Sequence, residues 1–352
     1  MGMGPPRAPR ERLEPGGGWP GRSRSGYPAA VTRAIELLRE LFEEVVGPVP
    51  NPTFGERALV ERIRGWLVEG GHVTAIDHGP WGLRFRAGSA DTGTAGLLLS
   101  AHLDSSGVGP DPGVRFDRRR AVFTFPEGAA RAGVDDKTGI VVLLALAALV
   151  RDARAPGFWG LLTTREEVGQ RGALEMPIGW MKDEGIAVAL AVDRRSDRHP
   201  DGCRHVVSSY HGVALDPEGR LADPLQAAVR SVTGEALADC PSPNCSDALE
   251  LRGRWDAEIA LADDALRERY RIATDEVRAA FARGRVGMYD PPRSSRYGLL
   301  RTIRQHLAHD AGLGVGNLSL DYREDTAELP AAELLTTVDI LAELHRRLRP
   351  AP

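Results

Sequence analysis

Four segments between residues 97 and 193 share one pattern, in which an apolar run or a glycine-flanked turn carries side chains that bind metal ions. The segments are 97–104 (LLLSAHLD), 133–139 (GVDDKTG), 161–169 (LLTTREEVG) and 188–193 (VALAVD). Leucine- and valine-rich runs of this length are typical of strands that are buried on both faces. Histidine and carboxylate side chains spread over four such segments predict the metal centre of a two-metal hydrolase.

The chemistry of a two-metal hydrolase accounts for the residue types in these segments. Such a site needs a ligand that bridges both ions, further ligands on each side, and a separate carboxylate that takes a proton from water. His102 can bind an ion, while Asp104, on the same side of an extended strand, can hold the other ring nitrogen. The adjacent Glu166 and Glu167 can divide the remaining work, so that one binds metal and the other acts as general base.

The segments SAHLD, GVDDKTG and TTREEVGQRGA resemble those of the co-catalytic zinc peptidases, a group of peptidase T-like exopeptidases, deacylases and aminopeptidases. The resemblance implies two divalent ions, with Asp135 as the bridging ligand and Glu166 as the general base. It also implies a cis peptide bond after Asp135. The other ligands that it implies are His102, Glu167 and Asp193. Zinc is the expected metal, with manganese or cobalt as alternatives.

The sequence departs from the resembling aminopeptidases at the last ligand, where their pattern has a histidine. Asp325 stands at that position. A further carboxylate would neutralise more of the ions' charge and favour harder ions such as manganese. The alternatives are a site that holds one ion well and the other poorly, or a histidine from elsewhere, with His205 and His211 as candidates. Asp247, in the segment NCSDA, resembles a residue of a turn near the active-site wall of this group and is a further candidate.

Strand-like and helix-like runs alternate through the middle of the chain. The runs 97–101, 158–163 and 187–192 are predicted strands, and 137–150 is a predicted helix with almost no polar face. This alternation predicts an α/β fold with a mostly parallel, twisted sheet flanked by helices. The metal-binding side chains lie at or just beyond the carboxyl ends of the strands, where open α/β sheets bind their ligands.

Helices are also predicted on both sides of this core. Apolar residues recur at helical spacing in 29–46 and in 331–348. Another helix is predicted to open at Thr53, because Glu56 three residues later completes a capping-box pattern, and to stop at Gly70.

The chain is expected to form one catalytic domain over residues 27–352. Residues 1–26 are rich in Pro, Gly and Arg without apolar periodicity, which predicts a disordered leader. The arginine-rich stretch 253–296 is longer than the resembling fold requires. We interpret it as a helical insertion that forms either a lid or a subunit contact. In the second case the protein would be a homo-oligomer.

Composition excludes several other classes of function. A net charge of −4 and a pI near 6.2 give no electrostatic attraction to nucleic acid or to an anionic membrane. No uncharged apolar run reaches the roughly 18 residues that a membrane span needs. Three cysteines, and no hydrophobic leader after Met1, favour the cytoplasm.

These patterns predict a metal-dependent hydrolase of amide bonds. An exopeptidase of the aminopeptidase kind that acts on short peptides is the first choice, by resemblance. An N-acyl deacylase or another amide-cleaving hydrolase of the same group, acting on an N-acylated small molecule, is the alternative. From a different class comes a pseudo-peptidase, in which the missing histidine leaves a fold that is used for binding or assembly.

Overall fold

The computed structural model of this 352-residue protein describes most of the predicted core. It describes residues 29–88, 94–107, 113–153, 156–177, 179–194, 205–206, 209–210, 213–214, 219–239, 247, 251, 314–320 and 326–348. The predicted leader 1–26, the predicted insertion 253–296, Asp325 and His211 lie outside these residues. Each helix among the described residues is too short or too polar to span a lipid bilayer.

The centre of the fold is a mixed sheet of eight described strands. The described strands of the protein are β1 (Val73–Gly79), β2 (Gly82–Ala87), β3 (Thr94–His102), β4 (Arg115–Asp117), β5 (Val122–Thr124), β6 (Gly157–Thr163), β7 (Val188–Arg194), β8 (His205–Val206), β9 (Ser209–Tyr210), β10 (Val213–Ala214), β11 (Ala238–Asp239), β12 (Gly314–Leu320) and β13 (Glu328–Pro330). The strand order in the central sheet is β1-β2-β6-β3-β7-β12-β8-β11. The four central strands β6, β3, β7 and β12 run parallel. Antiparallel pairs join β1 to β2, β2 to β6 and β8 to β12. The predicted α/β class is confirmed, with the antiparallel pairs outside the parallel centre.

Three helices around the sheet, over 29–40, 134–152 and 331–347, match predicted helical runs. The described helices are α1 (Ala29–Glu40), α2 (Arg57–Glu69), α3 (Val134–Asp152), α4 (Arg171–Glu175), α5 (Gly179–Asp183), α6 (Ala222–Thr233) and α7 (Ala331–Arg347). A π-helical turn, Leu41–Val46, continues α1. Helix α3 packs on β3 and β7 and against α1 and α7, so it is covered on several sides. This position explains why its sequence has almost no polar face.

Lys137 lies in the first turns of α3, and its side chain is completely buried. Its Nζ donates hydrogen bonds to the carbonyl oxygens of Gly47 and Ala132, each at 3.0 Å. Burial lowers the pKa of Lys137 to about 7, because the charged amine loses its hydration. The lysine therefore joins the end of the π-helical turn and the loop before α3 to the helix that carries Asp135.

We expect Lys137→Met to lower the free energy of unfolding by about 2 kcal/mol. The methionine side chain has a similar length but cannot donate to the two buried carbonyls, and each lost hydrogen bond costs roughly 1–3 kcal/mol. An apolar methionine costs less to bury than an amine, which offsets part of that loss. Urea unfolding monitored by circular dichroism measures the change. Arg131→Met, at an exposed position, is the control, and equal stability of the two variants would contradict the assigned role.

Candidate metal centre

The parallel strands bring the predicted ligands to one rim of the sheet. Strand β3 lies between β6 and β7, and His102 at its end is paired with Thr163 at the end of β6. Ser100 of β3 is paired with Ala191 of β7, so Asp193, two residues further on, reaches the same rim. Because parallel strands end at the same edge of a sheet, residues that are far apart in the sequence meet there.

His102, Asp135 and Asp193 form a compact group of potential ligands. Nε2 of His102 lies 3.2 Å from Oδ1 of Asp135 and 3.8 Å from Oδ1 of Asp193. One ligand atom from each of the three residues lies within 4.8 Å of the other two. Zinc bonds of about 2.0–2.2 Å at tetrahedral angles separate ligand atoms by about 3.3 Å. These three residues, which we call the His-Asp-Asp cluster, therefore fit a divalent ion.

The electrostatics of the cluster also favour a cation. Burial alone lowers the pKa of His102, but the carboxylates of Asp104, Asp135 and Asp193 outweigh it and raise the pKa of His102 well above its usual value. The surrounding carboxylates thus stabilise a positive charge at the imidazole. A divalent ion between the same side chains would supply that charge, and His102 would then bind it as neutral imidazole.

The first turn of α3, whose backbone is non-helical at Asp135 and Asp136, places the Asp135 side chain, and the Asp136 side chain fixes this turn. The peptide bond between Asp135 and Asp136 is cis, which confirms that expectation. The buried carboxylate of Asp136 accepts hydrogen bonds from the backbone N–H groups of His102 at 3.2 Å and Gly139 at 2.9 Å. A Cβ at Gly139 would lie only 2.5 Å from that carboxylate, so the contact requires glycine. Sequence interpretation missed Asp136, and its only signal is its place beside Asp135.

Asp104 connects the histidine to the Glu166–Glu167 turn. Its carboxylate accepts the backbone N–H of Glu166 at 2.7 Å and that of Glu167 at 3.2 Å. The hydroxyl of Thr53 donates to it at 3.0 Å. Although burial raises the pKa of Asp104, these donors and His102 hold it below its usual value. Nδ1 of His102 lies closer to the backbone carbonyl of Asp104, at 2.8 Å, than to its carboxylate, at 3.7 Å.

We expect Asp104→Asn to lower metal affinity by roughly 10- to 100-fold, which is typical for loss of a residue that orients metal ligands. The amide keeps the shape of the carboxylate, but its NH2 group would face a backbone N–H of Glu166 or Glu167, so that hydrogen bond would be lost. Metal titration measures the change in affinity. Thr53→Val, which removes a single donor, should have a smaller effect, and wild-type behaviour of Asp104→Asn would contradict the assignment.

The predicted capping box at Thr53 and Glu56 is wrong. Helix α2 begins at Arg57, and the side chain of Glu56, which precedes it, makes no capping hydrogen bond. The Thr53 hydroxyl instead donates to Asp104, and the carboxylate of Glu56 accepts the backbone N–H of Arg165 at 3.1 Å. Both side chains thus bind the segments that carry the candidate site, because buried backbone and carboxylate groups there need partners.

Glu166 and Glu167 follow β6 at the same rim but lie outside the His-Asp-Asp cluster. The side chain of Glu166 is buried, and its Oε1 accepts a hydrogen bond from Nε2 of Gln170 at 2.8 Å. Burial raises the pKa of Glu166 well above its usual value, and the nearby charges of Asp247 and Asp193 raise it further. Burial and neighbouring carboxylates likewise raise the pKa of the half-buried Glu167 to about 7. The structure thus places a buried carboxylate close to the cluster.

Asp247 is also buried at this rim. Its Oδ2 accepts a hydrogen bond from the hydroxyl of Thr163, while its Oδ1 has no hydrogen-bond partner among the described residues. Burial, with the charges of Asp104 and Asp193, raises the pKa of Asp247 to about 7. The structure therefore brings Asp247 to the site, where the sequence indicated it only weakly.

Asp325, His205 and His211 are the sequence candidates for a further ligand. Asp325 and His211 lie outside the described residues, and His205 is described only as part of the short strand β8. Among the described residues, the His-Asp-Asp cluster is the one group of three or more potential ligands that is compact enough to hold an ion.

Comparisons with known proteins give structural similarity alone. No protein-family model and no curated protein matches the sequence. The structure of a TET aminopeptidase from the marine sediment archaeon Thaumarchaeota archaeon SCGC AB-539-E09 is similar, with a TM-score of 0.55 and 13% identity over 91% of this chain and 98% of that one. An aminopeptidase, APDkam598, from the archaeon Desulfurococcus kamchatkensis has a TM-score of 0.50 and 14% identity over 89% of this chain and 94% of that one. The chain therefore has the α/β fold of these aminopeptidases, which agrees with the resemblance seen in the motifs.

Proposed function

We propose that the protein is a metal-dependent hydrolase of amide bonds, and specifically an exopeptidase of the aminopeptidase kind. The observation that carries the proposal is the His-Asp-Asp cluster at the carboxyl ends of β3 and β7, with the buried carboxylate of Glu166 beside it. The similarity in fold to two aminopeptidases also supports this proposed function. Peptides are the proposed substrates, and N-acylated small molecules are the alternative.

In this proposal the residues divide into ligands and a base. His102, Asp135 and Asp193 would hold one divalent ion, and Asp135, Glu167 and Asp325 would hold a second. Bound there, the ions supply Lewis acidity to the scissile carbonyl and to water. Zinc is the proposed metal, and manganese is the alternative that a carboxylate-rich set of ligands favours.

Glu166 would perform the proton transfers. Its carboxylate takes a proton from the attacking water and returns it to the leaving amine, so the same group acts first as base and then as acid. A raised pKa suits a group that must both accept and give a proton near neutral pH. Asp104 holds the backbone of this glutamate by the hydrogen bond at 2.7 Å.

A screen of substrates and metals tests the proposal. Protein stripped of metal with a chelator is reloaded with zinc, manganese or cobalt and assayed against matched aminoacyl and N-acyl amides. The proposal expects about two metal equivalents per chain, hydrolysis only after reloading, and a preference for substrates with a free amino terminus. Preference for N-acyl amides would favour the deacylase. Protein that takes up no metal on reloading and hydrolyses no amide would favour a binding role.

A further inference from the structure

Gln170 lies four residues after Glu166, and the turn between them folds back on itself. The backbone N–H groups of Gly169 and Gln170 both donate to the carbonyl oxygen of Glu166, each at 2.9 Å. The side chain of Gln170 is 1% exposed, and its Nε2 donates to Oε1 of Glu166 at 2.8 Å. One carboxylate oxygen of Glu166 is thus held by a donor from the same turn.

The backbone at Gln170 has a conformation that is uncommon for glutamine. Its φ of 49° and ψ of 37° lie in the left-handed region, where asparagine is more readily accommodated than glutamine. An asparagine amide would end one methylene group short of Glu166. Residues in this region persist where the surrounding structure requires them, and they cluster at functional sites.

The element that carries Gln170 is packed tightly against the sheet. Gln170 precedes α4, and the backbone N–H of Gly172 in this helix donates to the carbonyl of Thr164 at 2.8 Å. A Cβ at Gly172 would lie 2.5 Å from the backbone of Thr164, so the helix and the strand end approach as closely as glycine permits. The backbone that carries the Gln170 side chain is therefore held in place by this packing.

We propose that Gln170 is a positioning residue that fixes the orientation of the Glu166 carboxylate. By holding Oε1, the amide leaves the other oxygen of Glu166 to meet the attacking water. A general base acts only when its oxygen is within hydrogen-bond reach of the proton, and misplacement by about 1 Å can cost about 100-fold in rate. The proposal rests on the proposed function, because it takes Glu166 as the base.

Two substitutions test the role of the amide. Gln170→Met keeps the length without a donor, and Gln170→Asn keeps the donor but shortens the reach. Both should lower kcat by roughly 10- to 100-fold, with KM and metal content unchanged. Gln170→Asn suits the left-handed backbone, so its melting temperature should not fall, which separates lost orientation from lost stability. Arg171→Met, at the exposed neighbouring position, is the matched control and should keep wild-type kcat.

A double-mutant cycle tests whether Gln170 acts through Glu166. Glu166→Asp shortens the carboxylate beyond the reach of the amide, so adding Gln170→Met to it should lower kcat by less than about 3-fold. Wild-type kcat in both Gln170 variants, with kcat of Glu166→Gln lowered at least about 100-fold, would overturn this proposal alone. Full additivity in the cycle would also overturn it. If kcat of Glu166→Gln stayed within about 10-fold of the wild type, the proposed role of Glu166 as the base would be overturned instead.

Discussion

Glu166→Gln should bind its metal ions like the wild type yet hydrolyse amides about 100- to 10,000-fold more slowly. Glutamine has the same shape, and its carbonyl oxygen can still accept the hydrogen bond from Gln170, so the turn is preserved. It cannot take the proton from water or return it to the leaving amine, and general acid–base catalysis typically contributes a factor of this size. The measurement is kcat on the best substrate, with metal content determined on the same sample.

Glu175→Gln is the matched control for this variant. Glu175 lies in α4, is largely exposed, and pairs with Arg165 rather than with any residue of the cluster. We expect its kcat to stay within about 2-fold of the wild type. If Glu166→Gln kept kcat within 10-fold of the wild type while its metal content was normal, Glu166 would not be the base.

Asp135→Asn should have the largest effect on metal binding. The Asp135 carboxylate lies 3.2 Å from the imidazole nitrogen of His102. In the proposed site it would serve as a ligand to both ions. Asparagine keeps the shape but has a single neutral ligand oxygen. Its loss of affinity should exceed the 10- to 100-fold that follows from removing a residue that only orients a ligand. Titration with zinc against a competing chelator measures the affinity.

Thermal unfolding provides a second readout for the same variant. Metal that binds only the folded state stabilises it by about 2.7 kcal/mol when the free metal is 100 times the dissociation constant. The wild type should therefore melt at a higher temperature after metal is added, and Asp135→Asn should show little increase. Asp223→Asn, in the first turn of α6, is the control. An equal increase in wild type and Asp135→Asn would contradict the assigned role of Asp135.

The elements of the fold that could be predicted are those with a local signal. The buried strands β3, β6 and β7 and the apolar helix α3 are confirmed, because continuous apolar runs have few other stable arrangements. The juxtaposition of His102 with Asp193 also follows from the sequence, since parallel strands end at one edge. Asp325 and the segment 253–296 lie outside the described residues, so the expectations for them stay predictions.

The parts of the site that could not be predicted depend on contacts between distant segments. Thr53 and Glu56 have the spacing of a helix cap, but their partners are the carboxylate of Asp104 and the backbone of Arg165, 51 and 109 residues away. Local pattern therefore favoured the wrong interpretation. Asp136 was missed for a similar reason, because one of the two backbone groups that it binds belongs to His102, 34 residues earlier.

The bonds of Asp104 couple two parts of the site mechanically. Its backbone carbonyl contacts the imidazole of His102, and its side chain receives the amides that start the glutamate turn. A metal of different radius that displaced the imidazole would consequently also displace Glu166. In a series of metals, kcat should then not follow the order of their Lewis acidities. Each change of metal would alter the position of the Glu166 carboxylate as well as the ion.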